Sequence, residues 1–247
     1  MTVWMQLPLD IRWHAVSGLE QFQVGENVAV VAAIRRLVRG EESLPVYLYG
    51  GPGAGKTHLL HAAARAIGES GRPVAYVPGD LICQRPSALD GLEAMALVCI
   101  DDLDTMAGAA AAEESLFHLY NRCLERNVGL LLAARCSPAS LPFKREDLRT
   151  RLGWGLSLHV APMNDGDLIA ALQERARQRG LDLPIESARY LLGRLPRHST
   201  TLFPVLDDLD RAALAAKRRL TIPFLRDYLE RARRPLERAS ESPVSRT

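Results

Sequence analysis

The sequence predicts an α/β fold, a parallel sheet with helices on both faces, followed by a small all-helical domain. Short apolar runs alternate with helical patterns as far as Ala161-Pro162, and after that point only helical patterns continue. Alternation of this kind is typical of parallel sheets covered on both faces. A glycine-rich loop between the first apolar run and the next helix adds a third observation, because it indicates what such a sheet binds.

The glycine-rich loop fits the pattern Gly, four residues, Gly-Lys-Thr, and consists of Gly50-Gly51-Pro52-Gly53-Ala54-Gly55-Lys56-Thr57. Its glycines let the backbone turn several N–H groups toward an anion, and the following helix points its positive end at the same place. Lys56 is expected to reach the outer phosphates and Thr57 to ligate Mg²⁺. We therefore predict a nucleotide-binding site formed by this loop and the next residue, His58.

A second acidic element follows the apolar run Met95–Ile100, which leads directly into Asp101-Asp102. At the end of a parallel strand, Asp101 is expected to hold Mg²⁺, directly or through water, and Asp102 to orient an attacking water. Many strands end in Asp, so the signal depends on its pairing with the glycine-rich loop about 45 residues earlier.

The remaining patterns define the expected elements and domains. Strands are expected at 46–49, 73–78, 95–100, 128–134 and 156–160, and helices at 28–37, 57–64, 113–126, 164–179, 185–195, 199–216 and 222–233. Asn27 and Asn164 are predicted N-caps and Gly180 a helix stop. The expected divisions are an extended tail over 1–20, the nucleotide-binding domain over 21–161, the helical domain over 162–234 and a disordered tail over 235–247.

Composition restricts the functional classes. The chain has 247 residues, of which 47% are hydrophobic and 24% charged, as in globular proteins. A net charge of +2 is too small to argue for nucleic-acid or membrane binding by bulk electrostatics. No apolar run has the length of a membrane span, no signal-peptide pattern begins the chain, and the four cysteines lack metal-ligand spacing. These features predict a cytoplasmic protein with free thiols.

The N-terminal segment has alternating apolar side chains at Leu7, Leu9 and Ile11 after a leading Gln6. Extended peptides of this type dock into apolar grooves through alternate side chains. An edge strand or a frayed terminus is the other interpretation, and the residues alone favour it.

The combination of loop, Asp-Asp strand end and helical domain resembles AAA+ ATPase modules. Within them, Leu148–Leu156 resembles the arginine-bearing box of the DnaA/Hda family, and Arg36–Leu60 and Val98–Leu103 are also similar to it. No helix-turn-helix domain follows the helical part, so the resemblance, over residues 1–234, is to the short members of that family.

This resemblance implies an AAA+ P-loop domain with a helical lid that binds ADP or ATP with Mg²⁺. It implies a regulator of replication initiation that docks on the DNA-loaded sliding clamp through Gln6, Leu7, Leu9 and Ile11. Arg151 would then act as an arginine finger on ATP held by DnaA, and stimulated hydrolysis would inactivate DnaA. No sequence-specific DNA binding is implied, and self-association stays open. The alternatives are a self-contained ATPase such as a helicase loader, which would use Asp102, and a DNA-binding adaptor, which the weak net charge disfavours.

Two positions depart from the family pattern. Arg135 stands where the family has a polar sensor, usually Asp or Asn, and Thr200 stands where the lid has an arginine, with Arg197 one helical turn away. Both changes weaken the expectation of intrinsic hydrolysis more than that of binding. From the residues alone, Arg149 and Arg151 are equally well interpreted as solvated helix residues, and Trp154 is expected to pack in the core or the lid.

Overall fold

The computed structural model describes residues 18–197, 199–216 and 220–240. Its residues divide into two compact units: the first consists of the residues up to Gly50 and of Gly55–Val160, and the second consists of the residues from Ala161 onward, with Gly51–Ala54 of the glycine-rich loop grouped with it. The helices and strands of the first unit are, in chain order, α1 (Val28–Arg39), β1 (Val46–Tyr49), α2 (Lys56–Glu69), β2 (Val74–Pro78), α3 (Gly79–Gln84), β3 (Leu97–Asp101), α4 (Ala110–Glu125), β4 (Gly129–Ala134), α5 (Glu146–Leu152) and β5 (Leu156–His159).

The five strands form one parallel sheet in the order β2-β3-β4-β1-β5. The prediction of a parallel α/β sheet is therefore confirmed. Because all strands are parallel, the carboxyl ends of β1, β3 and β4 lie at one edge. The order of strands reverses at β1, so the loops after β1 and β4 flank the position where α/β sheets bind ligands.

Both faces of the sheet are covered by helices. On one face, Tyr47 and Leu132 of the sheet pack with Leu116 and Tyr120 of α4 in a buried apolar cluster. On the other face, the buried Cys99 thiol lies 3.8 Å from the Leu60 carbonyl oxygen of α2. Cys99 is thus a small residue of the core.

The part of the second unit that the structure describes contains four helices, α6 (Asp165–Gln178), α7 (Ile185–Leu192), α8 (Ser199–Ala216) and α9 (Ile222–Ser240). Leucines from all four helices are buried in one cluster. Asn164 caps α6 as expected, because its side-chain oxygen accepts the Asp167 N–H at 2.9 Å. Gly180 follows α6 with φ +73°, a left-handed conformation suited to a helix stop.

One expectation about the helices requires correction, and one helix was missed. Helix α9 extends to Ser240, whereas disorder was expected from residue 235. Leu, Glu, Arg and Ala are good helix formers, and their propensity continues the helix beyond Pro235. The short helix α3 was not predicted at all, because six residues are too few to show a period. Among the described residues, no helix has the length and apolar character needed to cross a membrane.

Candidate functional site

The glycine-rich loop connects β1 to α2 and contains two residues with left-handed backbone. Gly53 has φ +73° and Gly55 has φ +99°. A Cβ at Gly55 would lie 2.8 Å from the Phe22 ring, so close approach and backbone conformation both require glycine there. The sequence pattern identified this loop, whereas the ring that packs on it could not be read from the pattern.

Lys56 is the first residue of α2 and points back over the start of the loop. Its Nζ donates to the Gly50 carbonyl oxygen at 2.7 Å, and the residue is 7% exposed. Burial lowers the Lys56 pKa, although Asp101 and Asp102 oppose that shift. Thr57 follows in the first turn and is exposed. The Lys56 ammonium and the Thr57 hydroxyl therefore both belong to the first turn of α2, a helix of 14 residues.

Asp101 ends β3 at the same edge of the sheet and is 2% exposed. One carboxylate oxygen accepts the Asp102 N–H at 2.9 Å, and the other accepts the Tyr76 hydroxyl at 3.0 Å. Burial and the Asp101 charge raise the Tyr76 pKa, so this phenol remains a hydrogen-bond donor at neutral pH. Two donors thus fix the carboxylate that the sequence predicts as a Mg²⁺ ligand.

Asp102 has φ +50° and ψ +47°, a left-handed conformation that Asp tolerates better than most residues. Burial, followed by the charges of Asp101 and Asp104, raises the Asp102 pKa. Its carboxylate lies in a crowded acidic environment, and the charges of Lys56 and Arg135 oppose this rise in pKa.

Arg135 follows β4 and is held by an acidic partner that sequence analysis missed. Its backbone N–H donates to Asp104 Oδ1 at 2.9 Å, and its Nε lies 3.3 Å from Asp104 Oδ2. The residue at the sensor position is thus a cation in the same cluster as Lys56 and the three aspartates.

The residues at this edge fit a nucleotide with Mg²⁺. Left-handed glycines, a helix N-terminus and a buried lysine are the groups that bind phosphate. The Thr57 hydroxyl and the Asp101 carboxylate are the oxygen ligands that Mg²⁺ prefers. The adjacent histidines make other contacts: His58 Nε2 lies 3.4 Å from the Gly18 carbonyl oxygen, and the His61 ring lies 4.4 Å from that of Tyr76.

Arg151, in the last turn of α5, lies in a different environment. Its guanidinium donates to the Asn121 side-chain oxygen and lies 4.8 Å from the Phe117 ring centre and 5.5 Å from that of Trp154. The Arg151 carbonyl oxygen accepts the Tyr120 hydroxyl at 2.6 Å. No carboxylate pairs with Arg151 among the residues that the structure describes.

Two other arginines considered in the sequence analysis, Arg149 and Arg197, do have carboxylate partners. Arg149 lies 3.6 Å from Glu146, and in the second unit Arg197 pairs with Asp165 at 2.9 Å. The prediction that Trp154 packs in the core is wrong, because the residue is 61% exposed and lies over Arg151. The short turn between α5 and β5 leaves this side chain at the surface.

The remaining predictions concern positions whose side chains or backbone the structure leaves undescribed. Gln6, Leu7, Leu9 and Ile11 lie outside the described residues, and only the backbone of Thr200 is described.

The contacts missed by sequence analysis had weak local signals. Tyr76 pairs with Cys99 across β2 and β3, which places Asp101 on the diagonal, within reach of a long aromatic side chain. Asp104 lies three residues after Asp101 and is an obvious acid, but its partner is distant in sequence. Asn121 and Phe117 are one helical turn apart on α4, a spacing that also fits ordinary core packing.

Comparisons with known proteins agree with this architecture. The family model for the bacterial DnaA ATPase domain matches residues 16–159, and the model for the Hda lid domain matches residues 165–229. Domain III of the replication initiation protein DnaA from Thermotoga maritima is 21% identical, with a TM-score of 0.73 over 86% of this chain and 97% of that chain.

Two further solved structures are similar. AMPPCP-bound DnaA from Aquifex aeolicus is 24% identical, with a TM-score of 0.64 over 73% of this chain and 61% of that one. A RuvB variant from Thermotoga maritima is 21% identical, with a TM-score of 0.67 over 87% of this chain and 71% of that one. At these identities the likeness concerns the fold, which is that of an AAA+ module with a helical lid.

The DnaA ATPase model alone spans more than half of the chain, and the Hda lid model covers most of the second unit. The chain therefore belongs to the bacterial DnaA ATPase family and carries a lid domain of the Hda type.

Proposed function

We propose that this protein regulates replication initiation by presenting Arg151 to ATP bound by a DnaA molecule. The observation that carries the proposal is that an amide oxygen and two aromatic rings, rather than a carboxylate of the described residues, orient Arg151. These groups fix the guanidinium without neutralising its charge. An arginine held in this way is suited to an anion supplied by another molecule, and guanidinium forks onto two phosphate oxygens.

The protein's own nucleotide, ADP or ATP, binds at the edge formed by Gly50–Thr57 and Asp101. Lys56 would contact the outer phosphates, and Thr57 and Asp101 would hold Mg²⁺, which would neutralise phosphate charge. In the partner's site, Arg151 stabilises the charge that develops on the transferred phosphoryl group, an effect worth about a thousandfold or more in rate.

The test is single-turnover hydrolysis of ATP prebound to DnaA, with DNA-loaded sliding clamp present. Arg151→Ala should lose most of the stimulation while retaining nucleotide affinity. Arg149→Ala is the matched control, because Arg149 lies on the same helix and pairs with Glu146. Normal stimulation by both variants would rule out the arginine finger, and a loss only in Arg149→Ala would reassign it.

The sliding clamp is the second partner that we propose, bound through Gln6, Leu7, Leu9 and Ile11. The support is the spacing of apolar residues in this segment together with membership of the family. Gln6→Ala combined with Leu7→Ala should remove clamp retention in a pull-down while the thermal melting curve stays unchanged. Retention of clamp by the double variant would refute the docking role.

A self-contained ATPase is the competing function, favoured by the position of Asp102 beside Asp101. Arg135 at the sensor position has no proton acceptor to orient water, so we expect slow turnover by the protein alone. Steady-state turnover near the ~10 s⁻¹ typical of enzymes would support the competing function instead.

A further inference from the structure

Four large apolar side chains are exposed among the residues that the structure describes, those of Val28, Leu44, Trp154 and Ile185. Single exposed apolar residues are ordinary on protein surfaces, whereas neighbouring ones mark sites of interaction. Leu44 and Trp154 are neighbours, because each comes just before a strand of the same sheet, Leu44 before β1 and Trp154 before β5. We call this pair the Trp154–Leu44 surface.

The pairing of β1 with β5 brings the backbones of these two residues close together. Leu156, the first residue of β5, donates its N–H to the Pro45 carbonyl oxygen at 2.8 Å. Gly155 packs so closely on Pro45 that a Cβ there would lie 2.1 Å from the same oxygen. Leu44 and Trp154 are the next residues back along the two segments, and neighbouring strands are about 4.8 Å apart. Both side chains therefore begin at the amino ends of the strands.

The Trp154–Leu44 surface is continuous with Arg151. The Arg151 guanidinium lies 5.5 Å from the Trp154 ring centre, and the Trp154 N–H donates to the Arg151 carbonyl oxygen at 3.0 Å. These residues precede β1 and β5, whereas the glycine-rich loop and Asp101 lie at the carboxyl ends of strands. The surface is therefore separate from the protein's own nucleotide site and adjoins the arginine assigned to another molecule.

We propose that Trp154 and Leu44 dock into an apolar recess beside the nucleotide site of the DnaA molecule that receives Arg151. The inference rests on the function proposed above, since it extends the contact of Arg151 to the adjoining surface. A molecule whose phosphate meets the Arg151 guanidinium also comes within reach of the Trp154 ring, because the two groups are in contact. Trp and Arg are the residue types enriched among those that dominate the binding energy of protein interfaces.

Burial of this surface by DnaA has two physical consequences. It removes the Trp154 indole, which is 61% exposed in this chain, from water and thereby supplies affinity. It also excludes water from the contact between the indole and the Arg151 guanidinium, and cation–π attraction strengthens when it is desolvated. Docking of Trp154 thus restrains the Arg151 side chain in the complex in which that arginine acts.

The first experiment measures Kd between the full chain and DnaA loaded with a non-hydrolysable ATP analogue, by fluorescence anisotropy of labelled DnaA. Trp154→Ala should raise this Kd about thirtyfold, the loss typical of a dominant interface residue. Leu44→Ala removes less apolar surface and should raise the Kd about fivefold. Both variants should bind ADP as the parent does, because neither residue belongs to the nucleotide site.

Val28→Ala is the matched control, because it removes an exposed apolar side chain from a different place in the same unit. Val28 begins α1, a helix of 12 residues and therefore about 18 Å long, and the segment that contains Leu44 follows the other end of that helix. The Kd of this variant for DnaA should equal that of the parent. Equal losses in Val28→Ala, Leu44→Ala and Trp154→Ala would overturn the inference.

Leu44→Ala also separates docking from support of Arg151, because the rings against Arg151 are those of Phe117 and Trp154. In single-turnover hydrolysis with DNA-loaded clamp, Leu44→Ala should need a higher protein concentration for half-maximal stimulation but reach the parental maximal rate. Arg151→Ala should lose the maximal rate itself. A loss of affinity confined to Trp154→Ala would assign the effect to the ring beside Arg151 and overturn the docking surface.

The outcomes distinguish this inference from the proposed function. Parental Kd values for both Leu44→Ala and Trp154→Ala, with stimulation still lost in Arg151→Ala, would overturn the docking surface alone. Normal stimulation by Arg151→Ala would overturn the proposed function, whatever the affinities. If the two substitutions instead dissociated a dimer of this chain in analytical ultracentrifugation and left the Kd for DnaA unchanged, the occupant would be a second copy and the inference would be wrong.

Discussion

Arg135 and Arg151 belong to the same unit but are held by opposite kinds of partner. Arg135 is paired with the carboxylate of Asp104, within a cluster of three aspartates and one lysine. Arg151 is oriented by the amide of Asn121 and by aromatic rings. The acidic partner compensates the charge of Arg135, whereas neutral partners leave that of Arg151 uncompensated.

The difference indicates how one fold assigns two arginines to different tasks. An ion pair restrains an arginine but also reduces its attraction for a further anion, so a ligand must share the cation with the carboxylate. Amide and ring contacts restrain the side chain without that competition. We therefore expect Arg135 to modulate the binding of the protein's own ligand and Arg151 to act on a ligand of another molecule.

The largest expected effect is on nucleotide affinity, which should depend on Lys56 and not on Arg151. Lys56→Ala should lower affinity for a fluorescent ADP analogue by about a hundredfold or more, because a buried phosphate-binding cation is lost. Lys144→Ala is the matched control, since Lys144 is exposed and lies outside the loop. Equal affinity in the Lys56 variant and the parent would show that the edge of the sheet beside Lys56 is not the binding site.

A smaller effect is expected from converting the neutral partner of Arg151 into an acidic one. Asn121→Asp preserves the shape of the side chain but should pair with Arg151 and reduce stimulation of DnaA-bound ATP hydrolysis by about tenfold. Nucleotide affinity should stay unchanged.

Asn127→Asp is the control for that variant, because it adds the same charge at an exposed residue just beyond α4. Full stimulation by Asn121→Asp would mean that the uncharged hydrogen-bond partner of Arg151 is irrelevant to its function. Equal losses in the two variants would point to a general effect of negative charge.

The smallest expected effect is on the melting temperature of the protein and depends on Asp102. Burial and two neighbouring carboxylates raise the Asp102 pKa above that of the unfolded chain. Its contribution to stability is therefore fully present below the unfolded pKa, near 3.9, and is lost as pH rises through the raised folded value. Asp102→Asn, which tolerates the left-handed backbone, should melt at a higher temperature than the parent at pH 7, with the difference shrinking toward pH 4.

Asp90→Asn is the control for that variant, since Asp90 is exposed in the same unit. If both variants shifted the melting temperature equally at pH 7, a general charge effect would explain the result. A lower melting temperature for Asp102→Asn would mean that the carboxylate stabilises the ligand-free protein.

Local patterns predicted the elements well where the pattern was long or chemically specific. Every strand lies within a residue or two of its expected range, because a short apolar run in a parallel sheet is continuous in sequence. The end of α9 was wrong because polar composition indicated disorder, whereas the same residue types also favour a helix. Trp154 was wrong because its burial depends on the turn between α5 and β5, which composition does not specify.

By itself, the sequence determined the phosphate loop, the acidic end of β3, the order of strands and helices and the position of Arg151. These features depend on residues that are close together in the chain. Tertiary structure decided which partner each charged group has: Tyr76 for Asp101, Asp104 for Arg135, and Asn121 with two rings for Arg151. The three hydrogen bonds join residues 25 to 31 positions apart in the sequence. They exist because strand register and helix packing bring distant residues together, and no local pattern encodes either.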